Sequence, residues 1–133
     1  TLLRTAAAAG VQAVLLPPET TDAFAPKVVR SGMGAHFRLP IRSMTWDEIK
    51  RLCESANQRV YLADMNGQSC WETDLRQPLA LIIGGEAEGA SDQARKLAHQ
   101  KLSIPMNGNI ESLNAGVAGS VLLFEVVRQR RSA

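Results

Sequence analysis

Apolar runs spaced between helix-forming stretches constrain this chain's fold more than any other feature. Val60–Ala63 and Leu79–Ile83 are apolar throughout, and Val11–Leu16, ended by Pro17-Pro18, and Leu102–Ile104 are nearly so. A strand with one wet face alternates apolar and polar residues, whereas a strand covered on both faces does not. Helical patterns fall between these runs. Thr1–Ala9 is rich in Ala and Leu and stops at Gly10, a residue suited to the left-handed position after a helix. Thr45-Trp46-Asp47-Glu48 has the spacing of a capping box and predicts a helix from Trp46 to about Ala56. Asp22 to about Gly34, Ser91 to about His99, and Glu111 to about Gln129 read as further helices, and Arg38–Ile41 as a short strand. Asp64-Met65-Asn66-Gly67 reads as a turn closing the Val60 strand. Strand alternating with helix implies an α/β fold, a mostly parallel sheet with helices on both faces.

The 133 residues suit one domain. A hydrophobic fraction of 45% with 21% charged residues excludes a disordered chain. The net charge of +2 is too small to establish a polyanionic partner. Basic residues nonetheless cluster at Arg38 and Arg42, at Lys50 and Arg51, and at Arg128, Arg130 and Arg131, as solvated faces or nucleic acid contacts. Cys53 and Cys70 have neither disulfide-framework nor zinc spacing. No apolar run approaches the roughly 20 residues that span a bilayer, and no secretory signal opens the chain. A cytoplasmic protein without a membrane partner is expected. The start at Thr1 resembles a chain beginning partway through a helix.

In open α/β sheets, ligands bind at the carboxyl ends of the strands. Three loops are expected there: Asp64–Gln68, Gly84–Gly89 and Pro105–Asn109. Gly84-Gly85-Glu86-Ala87-Glu88-Gly89 lacks the G-x-G-x-x-G spacing and carries two carboxylates. Carboxylates repel a phosphate, so the loop favours a ligand bearing hydroxyls, an ammonium or a sulfonium, as S-adenosylmethionine does. Glu86 could equally be a carboxylate favoured by a helix dipole. Between Ser103 and Asn114, the backbone-shaping residues Pro105 and Gly108 alternate with Asn107, Asn109 and Ser112 before a long apolar helix. That polar stretch is either a ligand-binding loop or a helix cap. Arg4 alone would be a surface arginine, His36 and His99 surface or structural residues, and Trp46 and Trp71 packing anchors rather than base-stacking platforms.

Three segments together resemble the SpoU family of RNA ribose 2′-O-methyltransferases, within the SPOUT class. Arg4-Thr5-Ala6 through Gly10 is similar to the end of the family's first motif. Leu81-Ile82-Ile83-Gly84-Gly85-Glu86-Ala87-Glu88-Gly89 resembles the second. Ile104-Pro105-Met106 through Gly108, then Glu111-Ser112-Leu113-Asn114 and the helix to Arg130, resemble the third. The resemblance spans residues 1–133 as one catalytic domain and implies a C-terminal trefoil knot, S-adenosylmethionine as methyl donor, RNA as substrate, and a homodimer. It implies that Gly84, Gly85, Ile104, Met106, Ser112, Leu113 and Asn114 line the cofactor pocket. Arg4, Glu86, Ser112 and Asn114 would surround the reacting ribose as the catalytic group.

The resemblance implies that Arg4 serves as base, but a guanidinium holds its proton too tightly for a literal version of that role; Arg4 is expected instead to hold the adjacent RNA phosphate and stabilise the developing alkoxide. The family's Asn-x-Gly would lie before Thr1, so a longer protein with an upstream RNA-recognition region is expected. Ribosomal RNA is favoured over transfer RNA, because the short basic tail offers no long extension. The competing readings are a non-catalytic knotted RNA-binding or assembly module and, more weakly, a doubly wound flavin or nucleotide oxidoreductase.

Overall fold

The computed structural model describes residues 2–18, 39–84, 91–108 and 114–132. In chain order these form α1 (Leu2–Ala9), β1 (Val14–Leu16), β2 (Ile41–Ser43), α2 (Trp46–Ser55), β3 (Arg59–Ser69), a 3-10 turn (Cys70–Glu72), β4 (Leu79–Ile82), α3 (Asp92–Leu97), β5 (Gln100–Ser103) and α4 (Ala115–Arg131). The helix expected over Asp22–Gly34 lies outside the described residues.

All described strand pairs are parallel: β1 with β2, and β4 and β5 on either side of β3. The sheet is covered on both faces. Tyr61, Leu79, Leu81 and Leu102 pack with Leu122 and Val126 of α4, while Val60, Ala80 and Ile82 pack with Ile49 and Cys53 of α2 and Leu15 of β1. Neighbouring residues of one strand thus serve opposite cores, which is why the runs are continuously apolar. Each large side chain removed from water contributes roughly 1.5–3 kcal/mol. Cys53 and Cys70 sit in different clusters, both unpaired.

Local signals acted as expected at several ends. Thr45 Oγ1 accepts from Glu48 N at 3.2 Å and Glu48 Oε1 accepts from Thr45 N at 2.9 Å, completing the capping box of α2. Gly10 follows α1 with φ +82°. His99 is structural: its Nδ1 accepts from Val60 N at 2.8 Å and its own N–H donates to Val60 O at 2.8 Å. Trp46 packs against the α2 cluster, but Trp71 is half exposed rather than a packing anchor.

The expected turn at Asp64–Gly67 is corrected. Ala63 and Gln68 both pair with Leu102, so residues 64–67 form a bulge inside β3, which resumes to Ser69. The apolar run ends at Ala63, but the backbone ladder does not depend on side-chain polarity. Gly67 makes the return possible: a Cβ there would lie 2.5 Å from Leu102 N and Lys101 C. Ser103 Oγ donates to Gly67 O at 2.9 Å, and Lys101 Nζ lies 3.8 Å from Asp64. Smaller shifts place β2 at Ile41–Ser43 instead of Arg38–Ile41 and the start of α4 at Ala115 instead of Glu111.

Candidate active site

Register places the starts of two of the expected loops, at Gly84 and Pro105, at one edge of the sheet. Leu62 pairs with Ile82 on one side and Lys101 on the other, so Ile82 and Lys101 stand level, two strand spacings apart and two residues before Gly84 and Ser103. That separation is about 10 Å. The connections from β3 to β4 and from β4 to β5 cover opposite faces: Cys70 and Leu75 join the α4 cluster, and Leu97 and Ala98 the α2 cluster. A strand whose two neighbours are reached over opposite faces leaves a crevice at its carboxyl end. Gly84, Ile104 and Met106 are all half-buried there, with Ile104 also packing against the core.

The N-terminus of α4 begins with Asn114, whose Oδ1 accepts from Gly116 N at 2.8 Å and Val117 N at 3.3 Å. Those first amides, which would otherwise attract an anion, are therefore satisfied by the chain itself. The cap reading of this polar segment is correct for the Asn114 oxygen.

Helix α4 is also the surface against which the helix of the first motif rests. α1 packs against it, and the approach is close at Gly119, where a Cβ would lie 2.7 Å from Leu2 Cδ1 and 3.3 Å from Ile83 Cδ1. One residue later, Ser120 Oγ lies 3.1 Å from Thr5 Oγ1 and 2.7 Å from Gly116 O. The helix bearing Arg4, the end of the strand leading to Gly84, and the helix capped by Asn114 therefore meet around Gly119. Arg4 itself is exposed. Gly85, Glu86, Ser112 and Leu113 lie outside the described residues.

Sequence reasoning named Thr5 only as part of the first motif, without a role, and passed over Gly119 and Ser120. The available signal was the spacing of Gly116, Gly119 and Ser120 in an otherwise apolar helix, since small residues three or four apart let a second helix approach.

The far half of α4 has a structural task. Glu125, 3% exposed, accepts from Arg128 Nε at 2.7 Å, Arg128 Nη2 at 2.9 Å and Gln129 Nε2 at 2.8 Å. These bonds, Arg128's first, hold its carboxyl below the ordinary value against the opposing effect of burial. Gln129 Nε2 also donates to Thr73 O at 2.9 Å, and its Oε1 accepts from Leu75 N at 2.7 Å. An open groove of about 360 Å³ here is lined by Trp71, Asp74, Arg76, Arg128 and Gln129 among others. Its arginines are engaged by carboxylates. Hydrogen bonds from Arg76 bring the Asp74 carboxyl down to about 2, and Arg128 is held by Glu125. None of the expected site residues lines it.

A model of the SpoU rRNA Methylase family matches residues 1–124. The 23S rRNA (guanosine-2′-O-)-methyltransferase RlmB of Xylella fastidiosa (strain 9a5c) is 40% identical over 131 residues, covering 96% of this chain and 52% of its own length. The mitochondrial rRNA methyltransferase 3 of Xenopus tropicalis is 34% identical over 188 residues, covering 97% and 45%. The crystal structure of the SpoU methyltransferase AviRb from Streptomyces viridochromogenes, in complex with AdoMet, superposes with a TM-score of 0.92 at 34% identity, covering 99% of this chain and 55% of that one. The chain spans about half the length of the curated relatives it matches. Matched by the family model over nearly all its length and by relatives covered end to end on this chain's side, the chain belongs to the SpoU rRNA methylase family.

Proposed function

We propose that the protein containing this chain transfers a methyl group from S-adenosylmethionine to a ribose 2′-hydroxyl of RNA, with ribosomal RNA as the favoured substrate. The observation that carries this reading is the meeting of α1, the helix that bears Arg4, with Ile83 of the second segment and Gly119 of the third. The relatives support it: one is named for 23S rRNA guanosine and one for mitochondrial rRNA.

The residues present fit the cofactor. Half-buried Ile104 and Met106 offer apolar surface not fully used by the core, and Gly84 brings backbone without a side chain to the same edge. The amides of Gly116 and Val117 are spent on Asn114, so the helix start is not built for a phosphate. Gly84, Gly85, Ile104, Met106, Ser112, Leu113 and Asn114 would hold the cofactor, and its sulfonium would supply an activated methyl group. The chain's own part is to align the ribose oxygen and to stabilise the charge that develops on it. Arg4 holds the neighbouring RNA phosphate and faces the alkoxide as the hydroxyl proton leaves. Glu86, Ser112 and Asn114 complete the polar surroundings of the ribose.

The trefoil knot and a homodimer belong to the same proposal. For the dimer, Val117 and Phe124 support it: they stand seven residues apart on α4 and are 47% and 46% exposed, an apolar stripe suited to a second copy. Sedimentation showing only monomer at micromolar concentration would count against it.

Calorimetry tests the cofactor directly. The chain should bind S-adenosylmethionine and its demethylated product and ignore ATP; no heat with either of the first two overturns the reading. In the full-length protein, Arg4→Ala should abolish methyl transfer to ribosomal RNA while leaving cofactor affinity within about twofold. Transfer at the unsubstituted rate removes Arg4 from the reaction. RNA binding without methyl incorporation would favour the non-catalytic module.

A further inference from the structure

We propose that Ser120 is a positioning residue for Arg4, acting through the hydroxyl of Thr5; this rests on the reading of Arg4 as the group that faces RNA. A serine has one proton to give. The shorter contact of Ser120 Oγ, 2.7 Å, is to Gly116 O, which can only accept. The same hydroxyl lies 3.1 Å from Thr5 Oγ1, and this contact ties α1 to α4.

Helix α1 needs such a tie. It has eight residues, of which Ala6 alone is fully buried, whereas α4 is anchored by Leu122 and Val126 in the core. Apolar contact at Leu2 against Gly119 sets how near α1 lies and is by its nature non-directional. The hydroxyl pair adds a directional constraint. Arg4 is the residue before Thr5, so any roll of α1 is passed to it. A side chain about 6 Å from a helix axis moves about 1.5 Å when the helix rolls by about 15°. A misplacement of about 1 Å can reduce a rate as much as a hundredfold.

The test uses the full-length protein, tritiated S-adenosylmethionine and ribosomal RNA stripped of protein. Ser120→Ala and Thr5→Val should each lower kcat about tenfold, with KM for the cofactor unchanged within twofold and little change in melting temperature. Ser120→Thr and Thr5→Ser keep the hydroxyls and should stay near the unsubstituted rate. The double variant Ser120→Ala/Thr5→Val should be no slower than either single one, because both remove one bond. Unchanged kcat in Ser120→Ala, no restoration by the hydroxyl-keeping variants, or a multiplicative double variant would each overturn the proposal. A second readout needs no turnover. In labelled protein, Ser120→Ala should speed the solvent exchange of the Arg4 Nε–H while leaving the α4 amides unchanged, and an unaltered Arg4 signal refutes the tie. If the unsubstituted protein transfers no methyl group, the assigned reaction fails, and the Arg4 signal still decides the positioning claim.

Discussion

Replacing Gln129 with Ala should destabilise this domain by about 3 kcal/mol, and the sum can be worked from its bonds. Oε1 is the acceptor for the N–H of Leu75, a residue 1% exposed. Orphaning a buried donor costs about 1–3 kcal/mol. Nε2 donates to the carbonyl of Thr73, a residue 8% exposed, and to Glu125 Oε2. Losing these adds about 1–2 kcal/mol, since Glu125 keeps Arg128. Freed rotamers of the glutamine return about 1 kcal/mol. With a urea slope of about 1.5–2 kcal/mol per molar, the midpoint should fall by about 1.5–2 M at pH 7 without a change in slope. The Leu75 amide should also exchange faster with solvent. Gln129→Glu is the control: it keeps an acceptor for Leu75 but loses both donors and sets a second carboxylate beside Glu125. Its deficit should shrink as the pH is lowered toward 4. A midpoint shift below about 0.3 M for Gln129→Ala would refute the idea that this side chain pins the segment after β3 to α4.

Three further outcomes follow from the same structure. The Glu125 carboxyl is held below its ordinary 4.5 by Arg128 and Gln129, so an unfolded chain takes up that proton first on acidification. Its contribution is complete above pH 4.5 and is lost as pH falls through the folded value. Glu125→Gln should therefore narrow the difference between urea midpoints measured at pH 7 and pH 3.5, and an unchanged difference assigns the acid sensitivity elsewhere. Thr45→Ala removes the acceptor for Glu48 N and should cost about 1 kcal/mol, seen as a melting temperature lower by about 4 °C. Gly67→Ala would push a methyl to 2.5 Å from the backbone of Lys101 and Leu102. A loss of about 3 kcal/mol or more is expected from such overpacking, and a urea midpoint equal to that of the unsubstituted protein would mean that β5 can yield.

What could be read from the residues was what depends on near neighbours in the chain. The capping box at Thr45–Glu48, the stop at Gly10 and the unbroken apolar run Leu79–Ile83 each act over a few positions, and each formed where expected. The α/β class and the parallel sheet followed, because a strand wanting two covered faces has few other homes. The family was legible for the same reason: its motif residues are short, contiguous and in order.

The bulge at residues 64–67, the meeting of α1 with α4 at Gly119, and the buried Glu125 were decided by tertiary structure. Each depends on a partner distant in sequence: Leu102 for the bulge, Leu2 and Ile83 for Gly119, the 70–75 segment for the Glu125–Gln129 cluster. No periodicity of 2 or 3.6 residues encodes such a partner. A glycine, a serine or a glutamate is ordinary in its own stretch of chain and acquires its task only when packing brings a second backbone against it.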